Sequence, residues 1–186
     1  MEEYTPEMDQ LLFYLPLAGT AFKKVYYDPS KQRAVSTFVP VEDLVVPYTA
    51  SDLQTCERVT HVVKMTYNDV RTQQLAGFYR DIPLQPAETN IGSETTDKED
   101  ELEGLSATTN DMMYELLECH VSMDIPGFED PDGYHLPFII TIDRASNAVL
   151  SIRRNYRQDD PLRTKIQYFV HYKFLPGLGF YGFGLI

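Results

Sequence analysis

The sequence predicts an α+β fold built mainly on antiparallel β-sheet with a few short helices. Three observations lead there. Strand-like runs outnumber helical ones, the helical runs do not alternate with strands in a βαβ rhythm, and turn chemistry joins neighbouring strands closely enough for hairpins.

Thr5-Pro6-Glu7 opens the first helix. Thr can cap, Pro fits the first turn, and Glu favours the positive helix end. Met8, Leu11, Leu12 and Leu15 follow at helical spacing, with Pro16 and Gly19 as limits. Residues 21–27 and 33–39 read as a hairpin turned by Asp28-Pro29-Ser30-Lys31. The stretch 39–47 is apolar but broken by Pro40 and Pro47, which suits an extended segment covering the sheet rather than a central strand.

Residues 56–65 form a further strand, with Val59, His61 and Val63 on one face. Thr66, with Asp69 three residues on, caps a short helix reaching about Ala76, and Gly77 stands at its C-cap. Phe78, Tyr79 and Ile82 then pack against neighbours. Strands follow over 112–123, 136–143, 148–156 and 166–175. Asp143 to Asn147 makes a hairpin turn with Asn147 in the left-handed region, and Pro126-Gly127 and Pro131-Asp132-Gly133 punctuate loops. The chain thus divides into a helix, hairpin and strand-helix part (1–82), an acidic linker or excursion (83–110) and an antiparallel β part (111–186), together one structural domain. The excursion carries Glu88, Glu94, Asp97, Glu99, Asp100, Glu101 and Glu103 against Lys98 alone, with at most a short helix over 96–103.

At 186 residues the chain can bury roughly 70% of its unfolded surface, and 13 tyrosines with 10 phenylalanines suit a packed core. No apolar run approaches the ~18 residues of a membrane span. The acidic start, Met1-Glu2-Glu3, is no signal peptide. A net charge of −12 disfavours tight phosphate contact. The basic cluster Arg153, Arg154 and Arg157 meets Asp159-Asp160 at once and reads as a solvated strand end. Cys56 and Cys119 make no disulfide framework and read as free thiols of cytoplasmic folding.

The most unusual segment is the last, from Phe174 to Ile186. Pro176, Gly177, Gly179, Phe180, Tyr181, Gly182, Phe183 and Gly184 interleave glycine with aromatics. An apolar, permissive run of this kind is expected to lead into a further element. Gly177, Gly179 and Gly182 also spell G-x-G-x-x-G. That fingerprint needs a strand before it, a helix after it and an acidic residue about 20 residues on. Only the strand is plausible here, so a bend in which backbone packs against aromatic rings is the preferred reading.

Other chemistry is sparse. Asp130, Asp132 and Gly133 hint at a calcium loop, but its first ligand position is Phe128 and its twelfth is Ile139. Cys119 and His120 are strand neighbours facing opposite ways, so they cannot form a thiolate–imidazole pair. His61, His120, His135 and His171 show no i,i+4 pairing, and His61 and His171 read as packing residues. Nucleophile-elbow, P-loop and zinc-protease motifs do not occur. No cofactor or metal is expected, and a structural or interaction module remains by elimination.

The closing run LPGLGFYGFGLI, with Asp159-Asp160-Pro161-Leu162 and Tyr168 to Lys173 before it, resembles the portal (head-to-tail connector) protein of short-tailed bacteriophages. The stretch from Leu17 to Asp28, that from Phe38 to Pro47, and Cys56 to His61 add to the resemblance. It implies a non-enzymatic subunit of a twelve-membered ring at one capsid vertex, through which the terminase motor packages DNA and from which the genome is ejected. The chain would be most of the wing region, with Pro176 to Gly184 leading toward the stem. Stem, clip and any crown would lie outside it. Implied partners are identical portal subunits, terminase, coat and scaffold proteins and tail adaptors; genomic DNA passes without tight binding, and no membrane is involved. The implied location is the virion, after assembly in the host cytoplasm. Two alternatives stand beside this: an unrelated protein-interaction module using the acidic excursion as a docking arm, and a truncated dinucleotide-binding enzyme.

Overall fold

A computed structural model describes residues 4–28, 32–84 and 113–185. Over these it has two helices and two mostly antiparallel sheets, the α+β class expected from the sequence. The acidic stretch 83–110 falls, apart from Pro83 and Leu84, outside the described residues, as does the question of a helix over 96–103. No helix among the described residues is long and apolar enough to cross a membrane.

Helix α1 (Tyr4–Ala18) is followed by strand β1 (Thr20–Asp28) and strand β2 (Arg33–Val39). A 3-10 turn (Val41–Asp43) and the two-residue strand β3 (Leu44–Val45) lead to β4 (Arg58–Met65) and helix α2 (Tyr67–Leu75). Then come β5 (Tyr114–Met123), β6 (Leu136–Asp143), β7 (Val149–Arg154) and β8 (Phe169–Lys173). One sheet has the order β2-β1-β8 and the other β3-β4-β5-β6-β7.

The chain separates into two compact units. The first comprises Met1–His61, Cys119–Ile139 and Arg153–Ile186; the second comprises Val62–Glu118 and Ile140–Ile152. In the first, β1 lies between β2 and β8, with Phe22 opposite Val39 on one side and His171 on the other. Helix α1 packs on β1 and β2. Its Glu7 carboxylate accepts from the Phe38 amide, and its Tyr14 hydroxyl donates to Glu42 while the ring meets Phe38 edge-on. The core gathers Phe22, Val39, Leu44, Leu53, Cys56, Val59, Phe169 and Phe180. Burying each large apolar chain contributes roughly 1.5–3 kcal/mol, which is why the period-2 pattern of these strands determines which face turns inward.

In the second unit Val70 of α2 packs with Tyr79, Tyr114, Leu116 and Leu150. The capping box forms as expected: Thr66 Oγ1 accepts from the Asp69 amide, and the Asp69 carboxylate accepts from the Thr66 amide. Gly77 at φ +73° ends the helix, and Asn147 at φ +57° turns the β6–β7 hairpin. Within that hairpin the buried Asp143 carboxylate accepts from the Ser146 amide and hydroxyl, and Ser151 donates to Thr141 at 3.2 Å.

Some boundaries differ from those read in the sequence. Pro16 does not stop α1, which runs on to Ala18 and ends only at Gly19, whose amide bonds Leu15 O at 2.9 Å. The 39–47 stretch is, as expected, no central strand: Leu44 and Val45 pair with His61 and Thr60 at the edge of their sheet, and what differs is the 3-10 turn over Val41–Asp43 before them. The strand expected over 166–175 shortens to Phe169–Lys173, since the Ile166 amide is taken by Asn155 O and the chain bends after Lys173. Phe78 is 38% exposed and lies outside the core that buries Tyr79.

Candidate functional site

The glycine-aromatic run folds into a closed loop seated on the N-terminal half of its own unit. Leu175 and Phe183 exchange two backbone hydrogen bonds, at 3.2 and 2.9 Å, closing residues 176–182 into a loop. Lys173 Nζ crosses it to Gly179 O at 3.0 Å.

Three further bonds fasten the loop to the junction between α1 and β1. The Phe174 amide donates to Gly19 O at 3.0 Å, the Gly182 amide to the buried Thr20 Oγ1 at 2.7 Å, and the Leu185 amide to Pro16 O at 2.8 Å. The last of these satisfies a carbonyl in the final turn of α1 that the helix itself leaves without a donor.

This seating requires glycine at particular positions. A Cβ on Gly182 would stand 2.5 Å from Gly19 O and one on Gly177 would stand 2.6 Å from Tyr181 O. Gly19 combines φ +76° with backbone of Gly182, Phe183 and Gly184 pressed against it. Gly179 has open space where a Cβ would project.

Phe180 is the loop's anchor. It is 5% exposed and stacks on His171 at 4.7 Å between centroids, and on Phe22 at 6.0 Å; Phe22 in turn meets His171 at 4.7 Å. His171 is therefore enclosed by two rings, and its Nε2 is buried without a hydrogen-bond partner. Burial, reinforced by the Lys173 charge, pushes its pKa down to about 4, so the imidazole is neutral in the fold. Leu175, Leu178, Tyr181, Phe183 and Leu185 of the run are exposed.

For a dinucleotide the geometry is unfavourable. The amides of Gly182, Phe183 and Leu185 are committed to protein acceptors, whereas pyrophosphate binding needs such amides free at a helix N-terminus. Pro176, Gly177, Gly179, Phe180, Tyr181, Gly182, Phe183 and Gly184 thus come together, as parts of one docked loop.

The other singled-out groups are dispersed. Asp130 is buried and ion-paired with Arg163, which uses up the carboxylate that a cation would need. His120 packs edge-on against Tyr168 and Phe169, while Cys119 Sγ accepts from Thr60 Oγ1 at 3.6 Å. His61 meets Phe169 edge-on, and His135 lies 3.3 Å from Asp124. Among the described residues no three His, Cys, Asp or Glu side chains converge as metal ligands. A cleft of about 480 Å³ in the second unit is lined by Tyr67, Arg71, Asp81, Leu84 and Tyr114 among others, but Arg71 is paired with Asp81 and Gln74.

One contact had no sequence signal. Lys165 Nζ donates to Cys56 O at 2.8 Å and Leu53 O at 3.3 Å, clasping the 52–56 turn. Desolvation lowers its pKa. No protein-family model matches the chain, and no curated protein matches it.

Proposed function

We propose that this chain is a structural, non-catalytic subunit of a phage portal ring, through which genomic DNA is packaged and ejected. One observation carries the reading. Two of the stretches that resemble portal proteins, 17–28 and the closing run with Tyr168 to Lys173 before it, are far apart in sequence yet form one joined structure. β1 ladders with β8, and Gly19 and Thr20 receive the glycine-aromatic loop. Chance likeness in two separate stretches would not require them to meet.

On this reading the loop positions the segment that leads toward the stem. The acid-rich chain lets DNA pass without holding its phosphates. Its partners are identical subunits, the terminase, coat and scaffold proteins and tail adaptors, at the capsid vertex. Immunogold electron microscopy of purified virions, with antibodies raised against this chain, tests it. Gold at the single tail-bearing vertex is the expected result. Gold spread over the capsid, or its absence from virions, refutes the proposal.

A further inference from the structure

The first unit holds a concave surface away from the glycine-aromatic loop. It is a cleft of about 440 Å³ lined by Phe128, Leu136, Arg154, Tyr156 and Arg163, with Glu129 and Gln158 also on its wall. That volume is within the range of small-molecule sites. Arg154, the last residue of β7, is exposed, and its guanidinium has no hydrogen-bond or ion-pair partner among the described residues. Asp160 follows closely in sequence, yet its carboxylate is committed to its own turn. It accepts from the Leu162 amide at 3.0 Å and from the Thr164 amide at 2.9 Å.

The second arginine is held in place. Arg163 has φ +48°, a sparsely populated conformation for a residue with a side chain. The turn fixes it there, since the Arg163 amide donates to Asp160 O at 3.1 Å. Its Nη1 pairs with the buried Asp130 carboxylate, whose other oxygen accepts from the Asp132 amide at 2.8 Å. This pairing orients the guanidinium and occupies one nitrogen. The other N–H groups of that fork have no acceptor among the described residues. Phe128 adds an exposed ring to the same cleft, and Tyr156 a half-buried one.

We propose that this cleft binds a nucleoside phosphate. Forked guanidinium groups match phosphate oxygens, and an exposed aromatic ring matches the face of a base. The phosphate lies on Arg154 and the free edge of Arg163, and the base stacks on Phe128. Glu129 repels phosphate from its side of the cleft and accepts from the amino edge of the base, which orients the ligand. One of its oxygens already accepts from the Gly127 amide at 3.1 Å, and this steadies the carboxylate. The net charge of −12 opposes any anion, so binding depends on both arginines together. The same ligand chemistry comes as a free nucleotide or as one unit of a single strand. The site does not rest on the portal reading.

Titration of the isotope-labelled purified chain with adenosine 5′-monophosphate, followed by amide NMR, tests the proposal. Saturable shifts should gather at residues 127–136 and 154–163. Adenosine alone and inorganic phosphate alone should each bind at least about tenfold more weakly, because each engages only part of the site. Arg154 and Phe128 are exposed, so Arg154→Gln and Phe128→Ala both fold, as melting curves will verify. Arg154→Gln should weaken the monophosphate roughly tenfold and leave adenosine unchanged, whereas Phe128→Ala should weaken both. A short single-stranded oligoadenylate separates the two sources. Tighter binding than the monophosphate at the same residues assigns the ligand to a strand, and weaker binding assigns it to the free nucleotide. Absence of saturable shifts, shifts outside the cleft, or an Arg154→Gln variant that binds the monophosphate as the parent does would overturn the proposal. Virion labelling decides the portal reading separately, so either result can fail while the other stands.

Discussion

Gly19 and Gly184 lie backbone to backbone: a Cβ on Gly19 would come within 2.4 Å of the Gly184 amide nitrogen, and one on Gly184 within 2.3 Å of Leu17 O. Neither neighbour is the end of a flexible side chain that could move aside. Gly19→Ala should therefore cost about 2–3 kcal/mol, since it adds a left-handed strain to a steric one. Gly184→Ala should also destabilise, whereas Gly179→Ala should be nearly neutral. Thermal unfolding checks this, with ~2–4 °C expected per kcal/mol for a chain of this size. Equal melting temperatures for the Gly19 and Gly179 variants would contradict the packing described.

Phe180 is the loop's largest buried contribution. Phe180→Ala should cost about 3–5 kcal/mol, the range for emptying an aromatic site in a core. Leu178→Ala, two residues away and fully exposed, should change stability by less than ~0.5 kcal/mol. Denaturant titration of both variants measures the difference. Amide exchange should show the Phe180 variant losing protection first at Gly182 and Phe183.

His171 makes the fold sensitive to acid. Its folded-state pKa is about 4, below the unfolded value of 6.5, so the unfolded chain binds the proton more readily. Its neutral form contributes stability fully above about pH 6.5, and that contribution is lost as pH falls toward 4. Melting temperature measured from pH 7.5 to 4.5 should decline, and the decline should flatten in His171→Phe, which keeps a ring between Phe22 and Phe180. An identical slope in the two proteins would remove His171 as the cause.

Lys165 holds a turn through two carbonyls. Lys165→Met keeps much of the stem and removes the donors, so it should destabilise by about 1–3 kcal/mol. The turn's own bonds, from the Gln54 and Thr55 amides to the Asp52 carboxylate, remain. Amide exchange should therefore show local loosening at residues 53–56 more than global unfolding.

What the sequence revealed was local. The Thr66–Asp69 capping box, the left-handed Asn147 and the strand at 136–143 each depend on neighbouring residues, and each was readable. Contacts spanning the chain were not. Nothing in the composition of residues 174–185 says that Gly182 meets Gly19, or that the bonding partner of Leu185 is Pro16, because no period or turn motif encodes a distant partner. The glycine-aromatic run was visible as unusual, and its docking on α1 was not. Pro16 misled for a related reason: a helix can continue past proline when tertiary contacts hold its last turn.

The seating of residues 174–185 on the α1–β1 junction also dictates an order of events during synthesis. Helix α1 and β1 leave the ribosome early, yet β1 gains its second sheet neighbour only with β8, and Pro16 O gains its donor only with Leu185. Until then the nascent chain exposes one open edge of β1 and an unsatisfied helix end. The three-stranded sheet is therefore completed late, as a long-range closure and not as a vectorial build-up from the first residue.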